Sequence, residues 1–138
     1  MTTFKTILIL LFIILFQRTI GQTQLDTISV YDASHLIGQQ VIVKAKVSTV
    51  FYAKNSNGKP TFLNLEKAFP DNPIAVIIFE NNRKKLKIDA QQYIGKTIIV
   101  KGKMELYKDE AKPYENKPSI NINSKDQIKI INVKWIKS

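Results

Sequence analysis

The sequence predicts an all-β domain with one helix, its five strands closed as a Greek-key barrel, and three observations predict it. Short segments alternate apolar and polar residues with a period of two, Asn-Gly and proline-bounded turns separate them at close spacing, and residues 81–95 are the one stretch where a helix of any length could lie.

The first residues stand apart from that domain. Lys5 precedes an unbroken apolar run at residues 7–16, and Thr19, Ile20 and Gly21 follow where a signal peptidase would read small residues. The run is too short for a bilayer core, which needs about 20 apolar residues. Residues 1–21 are therefore expected to be a cleaved secretory signal, with a retained anchor as the alternative. The mature chain, starting at Gln22, would be exported to the periplasm or the outside. The chain has no cysteine, which excludes a lipid-anchored lipoprotein, a disulfide framework and thiolate chemistry. Residues 22–29 read as an N-terminal extension, 30–133 as a single domain and 134–138 as a C-terminal tail. A core of that length needs no covalent staple.

The domain opens with "DASHLIGQQVIVKAK" (residues 32–46), and residues 89–103, "DAQQYIGKTIIVKGK", repeat it with eight of fifteen positions identical. In each copy Asp is a candidate N-cap for a short helical turn, and Gly38 or Gly95 can take the left-handed conformation that ends it. After the glycine the period becomes two. Val41, Val43, Ala45 and Val47 point inward against Ile42, Lys44, Lys46 and Ser48, and Ile98, Val100, Gly102 and Met104 against Ile99, Lys101, Lys103 and Glu105. Two copies are too few for a solenoid; two strands of one barrel entered by similar turns account for them.

Between the copies, "KNSNGKP" (54–60) carries the Asn57-Gly58 hairpin signal. "PTFLNLE" (60–66) alternates weakly, "FPDNP" (69–73) is a turn, and "PIAVIIFE" (73–80) reads as a strand buried on both faces. Leu86, Ala90, Tyr93 and Ile94 would form the buried side of the helix at 81–95. After the second copy come a charged loop at 108–118, "KPSININS" (117–124) with Ile120 and Ile122 inward, and "DQIKIINVKWI" (126–136), alternating through Ile128, Ile130 and Asn132. Through residue 124 the order is strand, strand, strand, helix, strand, strand, that of the five-stranded OB-fold Greek-key barrel.

At "YDASHLIGQQVIVKAKV", "TFLNLEKAFPDNPIAVIIF" and "YIGKTIIVKGKMELY" the chain resembles small OB-fold nucleic-acid-binding domains of the anticodon-binding and single-strand-binding type, in particular exported bacterial members. The resemblance spans about residues 30–133. It implies an oligonucleotide-binding face over strands two and three, flanked by the loops after strands one and four. One barrel hosts many ligands, so function has to rest on the residues.

Lysine and arginine number 21 against 11 acidic residues, a formal net charge of +10. Such an excess favours polyanions: nucleic acid, acidic glycan or phospholipid headgroups. For phosphate contacts the candidates are Lys44, Lys46, Lys54, Lys59, Lys101 and Lys103. Tyr52, Phe62, Tyr107 and Tyr114 are candidates for base stacking, and Asn64 for reading a base edge. These residues are expected together on one side of the barrel, with Lys84, Lys85 and Lys87 on a solvated helix face away from it. Catalysis has little material. His35 is the sole histidine and reads as a turn residue, Arg83 is the one arginine after Arg18, and no His/Cys cluster or calcium loop supplies a metal. The expected protein is a non-catalytic, monomeric binding module without cofactor or metal, whose partner is single-stranded nucleic acid or another polyanion. The alternative is an envelope module that binds a protein partner or an acidic glycan through the same face.

Overall fold

A computed structural model describes residues 26–108 and 114–132. The expected signal at 1–21, most of the expected N-terminal extension, part of the charged loop, Val133 and the expected tail lie outside the described residues.

Six strands form: β1 (Gln40–Tyr52), β2 (Thr61–Leu65), β3 (Ala75–Ile78), β4 (Thr97–Leu106), β5 (Pro118–Asn121) and β6 (Ile128–Ile131). The sheet order is β1-β2-β3-β5-β4-β6, and a β1–β4 pairing closes the first five into a barrel, with β3 and β5 parallel and the other pairs antiparallel. This is the OB-fold barrel. The alternation is borne out: Val41, Val43, Ala45, Val47, Ile98, Val100 and Met104 are all buried, and so is every residue of β2 and β3. At about 1.5–3 kcal/mol per fully buried large aliphatic side chain, these inward rows supply the main driving force for closure.

The repeat has a geometric meaning. In the antiparallel β1–β4 ladder Val43 pairs with Val100, its own counterpart in the other copy, while Ile42 faces Lys101 and Lys44 faces Ile99. The two copies are therefore related by a local two-fold axis through the Val43/Val100 pair. The hydrogen bonds at the ladder's ends obey the same symmetry. Gly38 N donates to Met104 O and Met104 N to Gln39 O, while Gly95 N donates to Val47 O and Val47 N to Lys96 O. Similar sequences recur because each strand end must clasp the lead-in turn of the other. The symmetry breaks at Gly102, counterpart of Ala45, where a Cβ would lie 2.6 Å from Ile120 Cγ2.

Both repeat glycines are left-handed, Gly38 at φ 87° and Gly95 at φ 74°, and a Cβ at either would meet nothing within 4 Å. Gly95→Val therefore isolates backbone strain. We expect it to cost about 1–2 kcal/mol, read as a lower midpoint in urea; an unchanged midpoint would show that the turn relaxes freely.

Three local expectations are corrected. Asp32 is not an N-cap: Ser29 caps α1 (Val30–Ala33), its hydroxyl accepting from Asp32 N, whereas Asp89 does cap the turn of the second copy. The single helix over 81–95 is instead α2 (Glu80–Lys85), with no buried residue, and a separate 3-10 turn at Ala90–Tyr93. Lys87 breaks it by adopting φ 53°, which a continuing helix cannot contain. Ala90 and Tyr93 still plug the barrel beside Ile88, Val30 and Ala33, but Ile94 is exposed. Last, the alternating run after residue 126 begins with a 3-10 turn at Lys125–Gln127. Gln127 holds it by accepting from Asn123 N and Ser124 N and donating to Asn121 O and Lys101 O.

Candidate functional site

The candidate residues fall on two different surfaces because β1 changes partners along its length. β1 pairs with β4 through Gln40–Lys46 and with β2 from Val47 onward, and its register slips between Val47 and Thr49. A one-residue slip turns every later side chain to the opposite face. Val47 and Val50 point into the barrel, while Thr49 and Phe51 point out beside Asn64 and Phe62. Strict alternation through residue 52 predicts Tyr52, not Phe51, on the outer aromatic face. The irregularity has no sequence signal of the Gly or Pro kind, so Phe51 escapes sequence reading.

The aromatic surface is the outside of β1–β2–β3. Phe62 is 0% exposed and Tyr114 3%. The Tyr114 ring, from the segment before β5, stacks on Phe62 at 3.9 Å between centroids with 14° between planes, and packs against Phe69 at 4.4 Å. Tyr107 meets Phe62 edge-on at 5.2 Å. Phe62 and Tyr107 thus serve a second hydrophobic cluster with Ala53, Ala75 and Ile77, not an open platform. Asn64, 1% exposed, is equally occupied. Its Nδ2 donates to Thr49 Oγ1 and to the Tyr114 hydroxyl, both at 3.0 Å, and its Oδ1 accepts from Asn72 Nδ2 at 3.1 Å. Burial pushes the Tyr114 phenol above its usual pKa, and the Asn64 bond opposes this in part. Lys117 closes the rim, donating to Pro70 O and Asn72 O at 2.9 Å with its ammonium over the Phe69 ring. Burial lowers its pKa and Asp71 opposes the shift.

Phe51 stays accessible. It is 48% exposed, lies parallel to Tyr114 at 5.9 Å and 10°, and divides two clefts. One, of about 370 Å³, is lined by Thr49, Val50, Phe51, Asn64, Ala68, Phe69 and Tyr114. The other, of about 220 Å³, runs along the β1–β2 loop past Tyr52, Lys54 and Asn55. Of the predicted residues, Lys54, Asn64 and Tyr114 therefore line this groove. Tyr52 touches it with its flank only, because its ring lies under the Arg83 guanidinium at 5.0 Å and its hydroxyl donates to Glu80 Oε1. Lys59 is drawn to the same carboxylate at 3.8 Å.

The other surface carries Lys44, Lys46, Lys101 and Lys103, all exposed, on the outside of the β1–β4 ladder. It does not share the aromatic face. Lys101 is engaged by Asp126 at 3.3 Å, and the Ser124 hydroxyl together with that ammonium holds the Asp126 carboxyl below its ordinary range. Sequence reading also missed Lys129, which β6 adds to this surface, Phe69 and Lys117 of the groove wall, and Asn72 beneath it. Lys84, Lys85 and Lys87 are exposed on and just after α2, with Lys84 paired to Glu80 at 3.4 Å. His35 is exposed, and no group of three or more His, Cys, Asp or Glu side chains comes together among the described residues.

No protein-family model and no curated protein matches the chain. Solved structures do. A protein designated an aspartyl-tRNA synthetase from Leishmania major Friedlin superposes with a TM-score of 0.53 at 14% identity, over 88% of this chain and 23% of that protein. The aspartyl-tRNA synthetase of Entamoeba histolytica superposes with a TM-score of 0.51 at 14% identity, over 85% and 23%. The chain thus spans less than a quarter of either protein, and the likeness is one of fold.

Proposed function

We propose that the domain is a non-catalytic, exported binding module that takes single-stranded nucleic acid in the groove on either side of Phe51. The observation that carries this reading is Phe51 itself: a half-exposed ring, backed by Tyr114 and flanked by two clefts, offers an open π-face where a base can stack. Lys54 stands in one cleft wall to meet a phosphate, and the Lys117 ammonium lies over Phe69 at the edge of the other. Phe51 replaces Phe62 as the platform, and Asn64 supports the groove from below without reading a base.

Fluorescence anisotropy with a single-stranded oligonucleotide tests it. Stacking is worth about 1–3 kcal/mol per base, so Phe51→Ala should weaken binding roughly 5- to 150-fold. Lys54→Gln should flatten the slope of log affinity against log salt by about 0.7. An unchanged affinity for Phe51→Ala would overturn the reading. A protein partner in the same groove is the second reading, favoured by the fact that Phe62 and Asn64, the deeper contacts, are already satisfied by Tyr114. Under it no oligonucleotide binds the wild type.

A further inference from the structure

We propose that the outer face of the β1–β4–β6 ladder is a docking surface for an anionic phospholipid bilayer, independent of the groove around Phe51. Cross-strand register lays its side chains out in rows: Gln40 beside Lys103, Ile42 beside Lys101, Lys44 beside Ile99 and Lys129, and Lys46 beside Thr97 and Ile131. All five lysines are exposed and the three isoleucines are half-buried. Across the β1–β4 pair no lysine stands directly opposite another, which avoids the penalty for like charges in register. Charge and apolar area therefore alternate over the whole surface. Asp126 neutralises Lys101, while Lys44, Lys46, Lys103 and Lys129 make no ion pair among the described residues.

The chemistry of that surface fits a bilayer better than a nucleic acid. A single strand needs π-faces to stack on, and these rows hold no aromatic side chain. An anionic membrane asks instead for basic groups near the headgroups, with apolar side chains that can reach the boundary beneath them. The lysine stems can lie along the isoleucines and carry their charges outward.

Co-sedimentation of the full mature chain with vesicles tests the proposal. The wild type should pellet with vesicles of mixed phosphatidylglycerol and phosphatidylcholine and stay in solution with phosphatidylcholine alone. Each lysine near an anionic surface is worth about fivefold in partitioning. The quadruple variant Lys44→Gln/Lys46→Gln/Lys103→Gln/Lys129→Gln should therefore lose roughly several hundredfold, with an unchanged melting curve. Lys84→Gln/Lys85→Gln/Lys87→Gln should keep wild-type partitioning. Equal losses in the two variants would mean that net charge alone acts and would overturn the proposal, as would absence of binding to the acidic vesicles. Loss of oligonucleotide binding in the ladder variant, without vesicle binding by the wild type, would give the face to nucleic acid. Phe51→Ala serves as the independent arm: it should leave vesicle binding intact even if the groove reading fails.

Discussion

Phe62→Ala is expected to destabilise the domain by about 3–5 kcal/mol, the cost of a buried phenylalanine replaced by a cavity. Phe62 is fully buried, stacked under Tyr114 and met edge-on by Tyr107. Its removal takes away the ring to which both are fitted. Small domains have only about 5–15 kcal/mol of stability in total, so the melting midpoint should fall by roughly 15–30 °C. Phe62→Leu, which retains most of the apolar volume, should cost clearly less. The same experiment reports the state of the outer face. If the Tyr114 segment stood away from β2, the Phe62 ring would face solvent, and truncating it would move the midpoint by only a few degrees. A small shift would thus show an open platform and return Phe62 to the role its sequence context suggests.

The barrel was legible in the sequence because its determinants are local. Period-two alternation at residues 41–47 and 98–104, the continuous apolar run at 75–78 and the glycines at 38 and 95 each state their conformation without help from distant residues. The candidate site was legible only in part. Lysines at 44, 46, 101 and 103 are outward as expected, since alternation alone decides that. What alternation cannot supply is which outward face a residue joins once a strand bends and changes partners. β1 leaves β4 for β2 at Val47, so its lysines lie on the β4 side, and the slip after Val47 turns Phe51 rather than Tyr52 outward on the β2 side. Nor does residue type reveal burial. Asn64 and Tyr114 look like surface contacts in sequence, and become interior groups only because Thr49, Asn72 and Asn64 itself meet their hydrogen-bonding atoms across β1, the β2–β3 turn and the segment before β5.

Asn64→Leu should separate the two roles an asparagine can have at this position. As a buried bridge, its loss leaves the Tyr114 hydroxyl with no acceptor or donor on β2, removes the partner of Thr49 Oγ1, and leaves Asn72 Nδ2 with only Ile74 O at 3.2 Å. A buried polar group left unsatisfied costs about 1–3 kcal/mol. Because at least one group, the Tyr114 hydroxyl, is stranded beneath a packed ring, a loss of about 2–4 kcal/mol in denaturant unfolding is expected. Tyr114→Phe removes the stranded hydroxyl while keeping the stack on Phe62. Alone it should cost about 1 kcal/mol, and combined with Asn64→Leu it should cost less than the sum of the two, because the orphan is gone. A base-reading asparagine predicts the reverse pattern: stability within about 0.5 kcal/mol of wild type, as for a surface change, with strict additivity and a drop in oligonucleotide affinity. The hydrogen bonds favour the first pattern, since each amide atom of Asn64 is already within bonding distance of a protein partner and a ligand would have to displace Tyr114 to reach it.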